Sequence, residues 1–519
     1  YNYITNRDNI LKFWEERTMQ LAASDNIYTL GIRGVHDGKM QGANTVQEQK
    51  EALTQILKDQ REMIKRIINP DIEKVSQVFI PYKEVLDVYN AGLEVPDDVT
   101  LMWCDDNYGY INHFPATAER NRKGGNGVYY HVSYWGRPHD YLWLSTSHPA
   151  QIFYQLKMAY DKGARDMWII NVGDIKPAEY QLEMIMDMAW NIEGIQPDKT
   201  GLDNHLKNWL QREFGKKYAE ELLHIMNEYY RLAYIRKPEF MGNTRTEESN
   251  PAYKVVSDLP WSEQEINQRI ADYQTIENQV RKISANIPDS KQSAWFQLIE
   301  YPVNAAAEMN KKLLYGQLAR HKKADWALSD AAYNEIVSLT NQYNALNNGK
   351  WKFMMDCSPR NLAVFRRLSH DSASTLPAPP TKPLMLLNGT DYHKFYGIKP
   401  VALGLGYERK AIAIDKLSSV DYVIHTKNSQ RMSVEIALAP NHPVDGKNIR
   451  FAISLDKTPE QIVDYRTVGR SEEWKLNVLN NQAVRKIDFA LTKSGKHTLR
   501  IKAIDEGVVV DQIKIVENL

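Results

Sequence analysis

Cysteine is almost absent from this chain. Cys104 and Cys357 are the only two in 519 residues and lie in different segments, so no disulfide framework organises the fold. Long apolar runs are missing too. No stretch approaches the roughly 20 residues needed to cross a bilayer, and the N-terminus has no basic-then-apolar secretory pattern. Because the chain starts at Tyr1 rather than Met, as a processed or trimmed piece does, that missing pattern leaves its compartment open. An excess of one charge is also lacking. Lys plus Arg and Asp plus Glu both number 65 and no long basic block stands out, which argues against nucleic acid or another polyanion as partner.

Several chemical signatures are likewise absent. Without Gly-x-Gly-x-x-Gly after a strand there is no dinucleotide turn, and without Gly-x-Ser-x-Gly no nucleophile elbow. His36, Asp37, His131, His139 and His148 form no compact ligand motif such as His-Glu-x-x-His or Cys-x-x-Cys, which makes metal binding the weaker reading of these groups. Neither a metal nor a cofactor is expected.

What is present suits a large enzyme of about three or four domains. To about residue 195 short apolar runs alternate with helical patterns. The strand candidates are Tyr28–Arg33, Gln77–Tyr82, Thr100–Cys104, Val128–Ser133 and Met167–Val172. Between the first two, residues 45–68 carry a helical stripe of Val46, Leu53, Ile56, Leu57, Ile64 and Ile67. Strand, helix and parallel strand in succession leave a (β/α) TIM-like barrel or an open doubly wound sheet. A full barrel needs eight strands, so about three would have to precede Tyr1.

From 196 to 368 helical patterns dominate and predict a bundle. Ser262 and Glu265 read as a capping box for a helix running to about Ile287, and Ser329 as the cap of another ending near Asn348-Gly349. Trp295, Tyr301, Met309 and Tyr315 are read as packing residues. Residues 369–383, with Ser372–Pro383 at their centre, form a proline-rich linker. Residues 384–519 alternate apolar and polar in runs such as Met432–Ala437, Arg450–Ser454, His497–Ile504 and Val508–Val516, the pattern of a β-sandwich.

The chemistry gathers behind the early strands. Asp105-Asp106-Asn107-Tyr108-Gly109-Tyr110 follows Thr100–Cys104, Glu84 follows Pro81-Tyr82-Lys83, and Asp37 lies in Gly34-Val35-His36-Asp37-Gly38. Each acid has a plainer reading: a tight Asx turn for Asp37, a helix-dipole partner for Glu84, loop bonding for Asp105 and Asp106. Taken together, acids at three strand ends suit glycosidic-bond hydrolysis, in which a protonated carboxyl assists the leaving oxygen and an ionised one activates water. Arg33 at the first strand's end is suited to binding a carboxylate bidentately, either a substrate's or that of a neighbouring Asp. Val128–Tyr141 is dense in Tyr, Trp, Arg and His and reads as a sugar-binding wall, although most of the chain's 29 Tyr and 12 Trp belong to cores and their edges. Asn171-Val172-Gly173-Asp174-Ile175-Lys176-Pro177 adds an amide, an acid and an ammonium behind a further strand.

Gly31–Gly38, Trp103–Gly109, Tyr130–Gly136 and Asn171–Pro177, in that order, resemble the xylan α-1,2-glucuronidases of glycoside hydrolase family 115. The resemblance implies removal of (4-O-methyl-)D-glucuronic acid α-1,2-linked to xylose in glucuronoxylan, with inversion. It implies a barrel, a helical domain and a β-sandwich, commonly as a homodimer in a periplasmic or secreted setting. By motif position it places Asp37, Glu84 and Asp105 on the acid/base carboxylates and Arg33, His131, Tyr134 and Asn171 on the uronate-binding surface; Asp106 is counted beside these substrate-binding residues as a supporting residue of its loop. Glu84 or Asp105 is the expected acid, the other helping to position water. The chain departs from the family in lacking an N-terminal domain and early barrel strands, where a further acidic site residue is expected; a separate N-terminal segment would supply them. Two other readings stay open: a non-catalytic polysaccharide-binding protein, and a metal-dependent hydrolase.

Overall fold

A computed structural model describes residues 2–35, 38–372, 383–427, 431–491 and 493–518. The proline-rich core of the expected linker falls on residues 373–382 and lies outside the described residues, as do His36 and Asp37. The chain divides into two compact units, one of residues 1–130 and 155–170, the other of 131–154 and 171–519.

The first unit is built on a five-stranded parallel sheet. Its elements are α1 (Tyr3–Leu21), β1 (Tyr28–Leu30), α2 (Val46–Ile67), β2 (Gln77–Phe79), α3 (Glu84–Asn90), β3 (Thr100–Cys104), α4 (Thr117–Arg120), β4 (Asn126–His131), α5 (Pro149–Asp161) and β5 (Met167–Asn171). The strands lie in chain order, β1-β2-β3-β4-β5, as in a barrel wall. Leu30 pairs with Phe79 and Phe79 with Leu101, so the carboxyl ends of β1, β2 and β3 leave the sheet side by side. Buried on both faces, β3 is apolar over Leu101, Met102, Trp103 and Cys104 rather than alternating.

Local chemistry accounts for the helices. At α2, Thr45 Oγ1 accepts the Glu48 N–H at 3.1 Å while the Glu48 carboxylate accepts the Thr45 N–H at 2.9 Å, closing a capping box. Leu53, Ile56, Leu57 and Ile64 of its stripe are buried against Leu30, Phe79 and Leu101, each burial stabilising by about 1.5–3 kcal/mol. Val46, read as part of that stripe, is exposed. Four expected strands are shorter or shifted, β5 only by the loss of Val172 at its end. β1 stops at Leu30 because Gly31, at φ +105°, turns the chain; β2 stops at Phe79; β4 runs from Asn126 to His131.

The second unit continues with α6 (Glu179–Trp190), α7 (Lys199–Phe214), α8 (Ala219–Ile235), α9 (Glu263–Ser284), α10 (Asp289–Trp295), α11 (Tyr301–Arg320) and α12 (Trp326–Gly349). Ser262 caps α9, and Glu265 returns the bond. The expected cap at Ser329 is displaced: Asp325 caps α12 through the Ala327 N–H, and Ser329 sits buried one turn inside, its hydroxyl donating to the Lys312 carbonyl. Trp295, Tyr301 and Met309 are core residues, while Tyr315 packs partly buried against them.

Beyond the helices come β6 (Met385–Asn388), β7 (Lys394–Tyr396), β8 (Val401–Ala402), β9 (Ile412–Ala413), β10 (Ser419–Thr426), β11 (Arg431–Leu438), β12 (Arg450–Leu455), β13 (Gln461–Asp464), α13 (Glu472–Asn480), β14 (Ala483–Ala490), β15 (Gly495–Ala503) and β16 (Val509–Asn518). They form two antiparallel sheets, β13-β12-β15-β10-β7 and β14-β11-β16-β9-β8, with β6 on β16. Tyr422, Phe451 and Ile501 from the first and Val434, Ile487 and Ile513 from the second share one core.

Candidate active site

In the first unit the candidate residues gather at the carboxyl ends of β1, β2 and β3. Arg33, three residues beyond β1, grips Glu84 with Nη2 at 3.0 Å from Oε1 and 2.9 Å from Oε2, and with Nε at 3.2 Å from Oε1. Glu84 is the first residue of α3 and is buried. Arg33 thus meets a neighbouring acid that is Glu84 rather than the expected Asp, and Glu84 stands in the first turn of its helix. Lys83 just before it adopts φ +52°, a left-handed conformation that costs a lysine energy and turns the chain from β2 into α3. The Arg33 guanidinium also lies 4.9 Å from the centroid of Tyr82, whose hydroxyl donates to Asn107 Oδ1 at 2.9 Å. A continuous polar chain thus joins Arg33 and Glu84 to the loop after β3.

That loop is tied into a tight turn. Asp105, wholly buried, accepts the Gly109 N–H at 2.8 Å, and Asp106 Oδ1 accepts from the N–H groups of Tyr108 at 2.9 Å and Tyr110 at 3.3 Å. Asn107 at φ +74° and Gly109 at φ +86° supply the reversal, the first as an Asn tolerates and the second as a Gly allows. The Tyr130 hydroxyl donates to the Gly109 carbonyl at 3.0 Å from the end of β4. Burial and the charges of Asp105 and Asp106 push its phenol well up, so it stays a donor. Burial, reinforced by Asp105 and opposed by Arg33, likewise raises the Cys104 thiol and keeps it inert.

The second unit holds the aromatic wall. His131 ends β4, and its ring meets Tyr134 edge-on at 5.4 Å. The Val132 N–H donates to the Asn171 carbonyl at 3.0 Å, and the Gly173 N–H to Ser133 Oγ at 2.6 Å, so the segments after β4 and β5 are laced together. Tyr134 and Tyr141 bridge in antiparallel fashion and close the loop between them. Tyr134 folds back over Gly136: a Cβ there would meet the Tyr134 hydroxyl at 2.4 Å.

Other polar residues of this wall serve the scaffold. His139 is buried, with Nδ1 2.9 Å from the Asp140 carbonyl and Nε2 2.9 Å from Thr244 Oγ1, and burial pushes it down to about 4. His148 accepts the Ala150 N–H and is held neutral by burial. Lys176 is directed to Glu179 at 2.9 Å and Gln297 at 2.7 Å, over the Trp351 ring. Among the described residues no three of His, Cys, Asp and Glu gather as a metal site.

Arg33, Glu84, Asp105 and Asp106 are thus brought together in one unit, and His131, Tyr134 and Asn171 in the other. Tyr82, Asn107 and Tyr130, which connect or buttress the first group, lay within quoted motifs but carried no signal of their pairing. Asp140 and Arg360, which pair in the second unit across 220 residues, carried none at all.

Comparison with known proteins places these observations. A model described as glycosyl hydrolase family 115 matches residues 1–240, and one described as the glycosyl hydrolase family 115 C-terminal domain matches residues 401–518. A solved family GH115 4-O-methyl-α-glucuronidase, BtGH115A, described as having specificity for decorated arabinogalactans, is 54% identical with a TM-score of 0.97. The match covers 100% of this chain and 68% of that one. The GH26-CBM35 β-(1,4)-mannanase of Podospora anserina is 12% identical over 27% of this chain and 28% of its own, with a TM-score of 0.21, too low to carry any argument. No curated protein matches.

Proposed function

The chain belongs to glycoside hydrolase family 115, and on that footing we propose that it acts as an α-glucuronidase, releasing (4-O-methyl-)D-glucuronic acid α-1,2-linked to xylose in glucuronoxylan. The observation that carries the reading is the Arg33–Glu84 fork joined through Tyr82 and Asn107 to the Asp105 loop, at the strand ends where parallel α/β folds build chemistry. Glu84 and Asp105 then share the two tasks of inverting hydrolysis. One delivers a proton to the departing glycosidic oxygen while the other, ionised, orients and deprotonates the attacking water on the opposite face of the sugar. Asp37 is the third carboxylate, by motif position. His131, Tyr134 and Asn171 receive the uronate, and Asp106 holds the loop. Arg33 serves two carboxylates in this scheme, orienting Glu84 and anchoring the uronate.

A second substrate has support. The 54% identical relative is described as specific for decorated arabinogalactans, so the same uronate on a galactan main chain is the alternative. Incubation with each polysaccharide, with the released uronic acid and its first-formed anomer followed by NMR, separates the two and tests inversion. Product from neither overturns the glucuronidase reading and favours a polysaccharide-binding protein; a chelator that abolishes release revives a metal-dependent hydrolase.

The domain assignment that goes with this function is 1–195 for part of a catalytic barrel, 196–368 for a helical bundle, 369–383 for the linker and 384–519 for a β-sandwich. β1 and β5 are the outer strands of the five-stranded sheet, and further strands, from a separate N-terminal segment, would complete a barrel there. A homodimer and a periplasmic or secreted setting complete the proposal. Among the described residues no helix is long and apolar enough to cross a membrane.

A further inference from the structure

Trp135 combines exposure with a fixed pose. It directly follows Tyr134 and is 59% exposed. Its indole Nε1–H donates to Glu247 Oε1 at 3.1 Å, and the Arg360 guanidinium carbon lies 4.0 Å from the ring centroid. Arg360 is in turn paired with the buried Asp140. Asp140 also accepts the Gly136 N–H at 2.8 Å and the Thr246 hydroxyl at 3.1 Å, while that hydroxyl is 2.7 Å from the Gly136 carbonyl. One buried carboxylate thus anchors both the backbone that follows Trp135 and the cation stacked on its ring.

An indole left in solvent forgoes the burial that its size would reward, and holding it in one pose restricts its rotamers. What this arrangement provides is a flat, ordered, amphipathic face that need not be immobilised again when a ligand arrives. The C–H face of a pyranose matches such a surface.

The location specifies which sugar. Trp135 directly follows Tyr134, which is assigned to the uronate and is tied to Tyr141 by an isolated antiparallel bridge; unlike the buried Tyr141, it reaches solvent. An enzyme that removes a side-chain uronate must let the rest of the polymer run out to solvent beside the uronate, and Trp135 is the exposed residue that directly follows Tyr134. Glu247 beside the ring is spent on the indole N–H and lies 3.8 Å from Arg360.

We propose that Trp135, held by Glu247, Arg360 and Asp140, is the platform on which a neutral main-chain pyranose next to the uronate stacks, and that it selects polymeric over small leaving groups. This rests on the glucuronidase reading above. In the full-length enzyme, Trp135→Ala is compared with wild type on two substrates, an aryl α-glucuronide and a neutral-sugar oligosaccharide bearing one α-linked uronate. The expected result is a rise of about tenfold in KM for the oligosaccharide with kcat within about threefold, and a loss in kcat/KM at least about fivefold smaller for the aryl glycoside. Trp135→Phe, which keeps a stacking face, should recover most of the oligosaccharide affinity. Equal losses on both substrates, or an oligosaccharide KM within about twofold of wild type, overturn the proposal. If the Ala variant does not melt cooperatively, Trp135→Leu, apolar but without a flat face, takes its place.

A wild-type enzyme that releases no uronic acid from either substrate removes the glucuronidase reading alone. Calorimetric titration with the uronate-free oligosaccharide then decides Trp135: binding lost in the variant upholds the platform, and binding equal in both proteins or absent from both overturns it.

Discussion

Arg33 and Glu84, 51 residues apart, form a forked pair in which both carboxylate oxygens of Glu84 lie within 3.0 Å of one guanidinium nitrogen. The pair fixes the position of the Glu84 carboxylate at the start of α3, and its side chains are only 17% and 9% exposed. Breaking such a pair by removing one member leaves the other charge uncompensated, at about 3–5 kcal/mol where burial is complete and less where solvent reaches in.

Glu84→Gln keeps the shape of the side chain and one acceptor for Arg33. Turnover on a uronate-bearing oligosaccharide should fall by about 10²–10⁴ while the protein still melts cooperatively. Asp105→Asn is a parallel case, because the new amide oxygen still accepts the Gly109 N–H and the loop survives. A comparable fall with a melting temperature within a few degrees is expected. Retention of more than about a tenth of wild-type turnover in either variant takes that residue out of the mechanism.

Arg33→Lys tests the fork. An ammonium meets the carboxylate as a point charge and cannot reproduce the two parallel N–H contacts, so kcat/KM should drop at least about tenfold although the charge is kept. Arg33→Ala should weaken uronate substrates more than a neutral aryl glycoside. Equal loss on the two would leave Arg33 as a holder of Glu84 only.

Gly136→Ala is a small change with a defined target. The added methyl would sit 2.4 Å from the Tyr134 hydroxyl and 2.5 Å from its ring carbon, so the tyrosine must move. Michaelis constants for uronate substrates should rise about tenfold, with a lowered melting temperature from the strained backbone but cooperative unfolding retained. A KM within about twofold of wild type would show that Tyr134 is not a uronate contact.

Stability should carry the mark of Asp511. Burial pushes this carboxyl up to about 6 although Gln482 and the Tyr407 N–H stabilise its charge. Its folded value lies above the unfolded one, so between about pH 4 and 6 the native state binds the proton more tightly, and this contribution to stability is lost as pH rises through that window. The effect amounts to about 3 kcal/mol. Denaturant titrations of wild type and Asp511→Asn should diverge in slope against pH there, the variant being flatter. Parallel curves would place the titration elsewhere.

Much of the architecture was legible because it is written locally. The capping boxes at Thr45 and Ser262, the apolar stripe of α2 and the strands β3 and β5 follow from side chains within a few residues of one another. Ser329 misled for the same reason: Asp325 stands four residues earlier, is the stronger cap, and left Ser329 to a carbonyl of α11 that no local pattern reveals. The end of β1 was overrun because Gly31 turns out of the sheet in a left-handed conformation, which a sequence of apolar residues does not announce.

By itself the sequence determined that acids stand behind successive parallel strands, that aromatic and cationic residues crowd the segment after β4, and which family's motifs these are. Such features rest on residue type and short spacing. Tertiary structure alone decided that Arg33 grips Glu84, that Tyr82 reaches Asn107, that His139 is part of the scaffold, and that Asp140 and Arg360 pin Trp135 in solvent. The hydrogen-bonded pairs among them stand 25 to 220 residues apart. A charge or an amide carries no mark of its partner until packing brings the two together and removes the water that would otherwise have served either one.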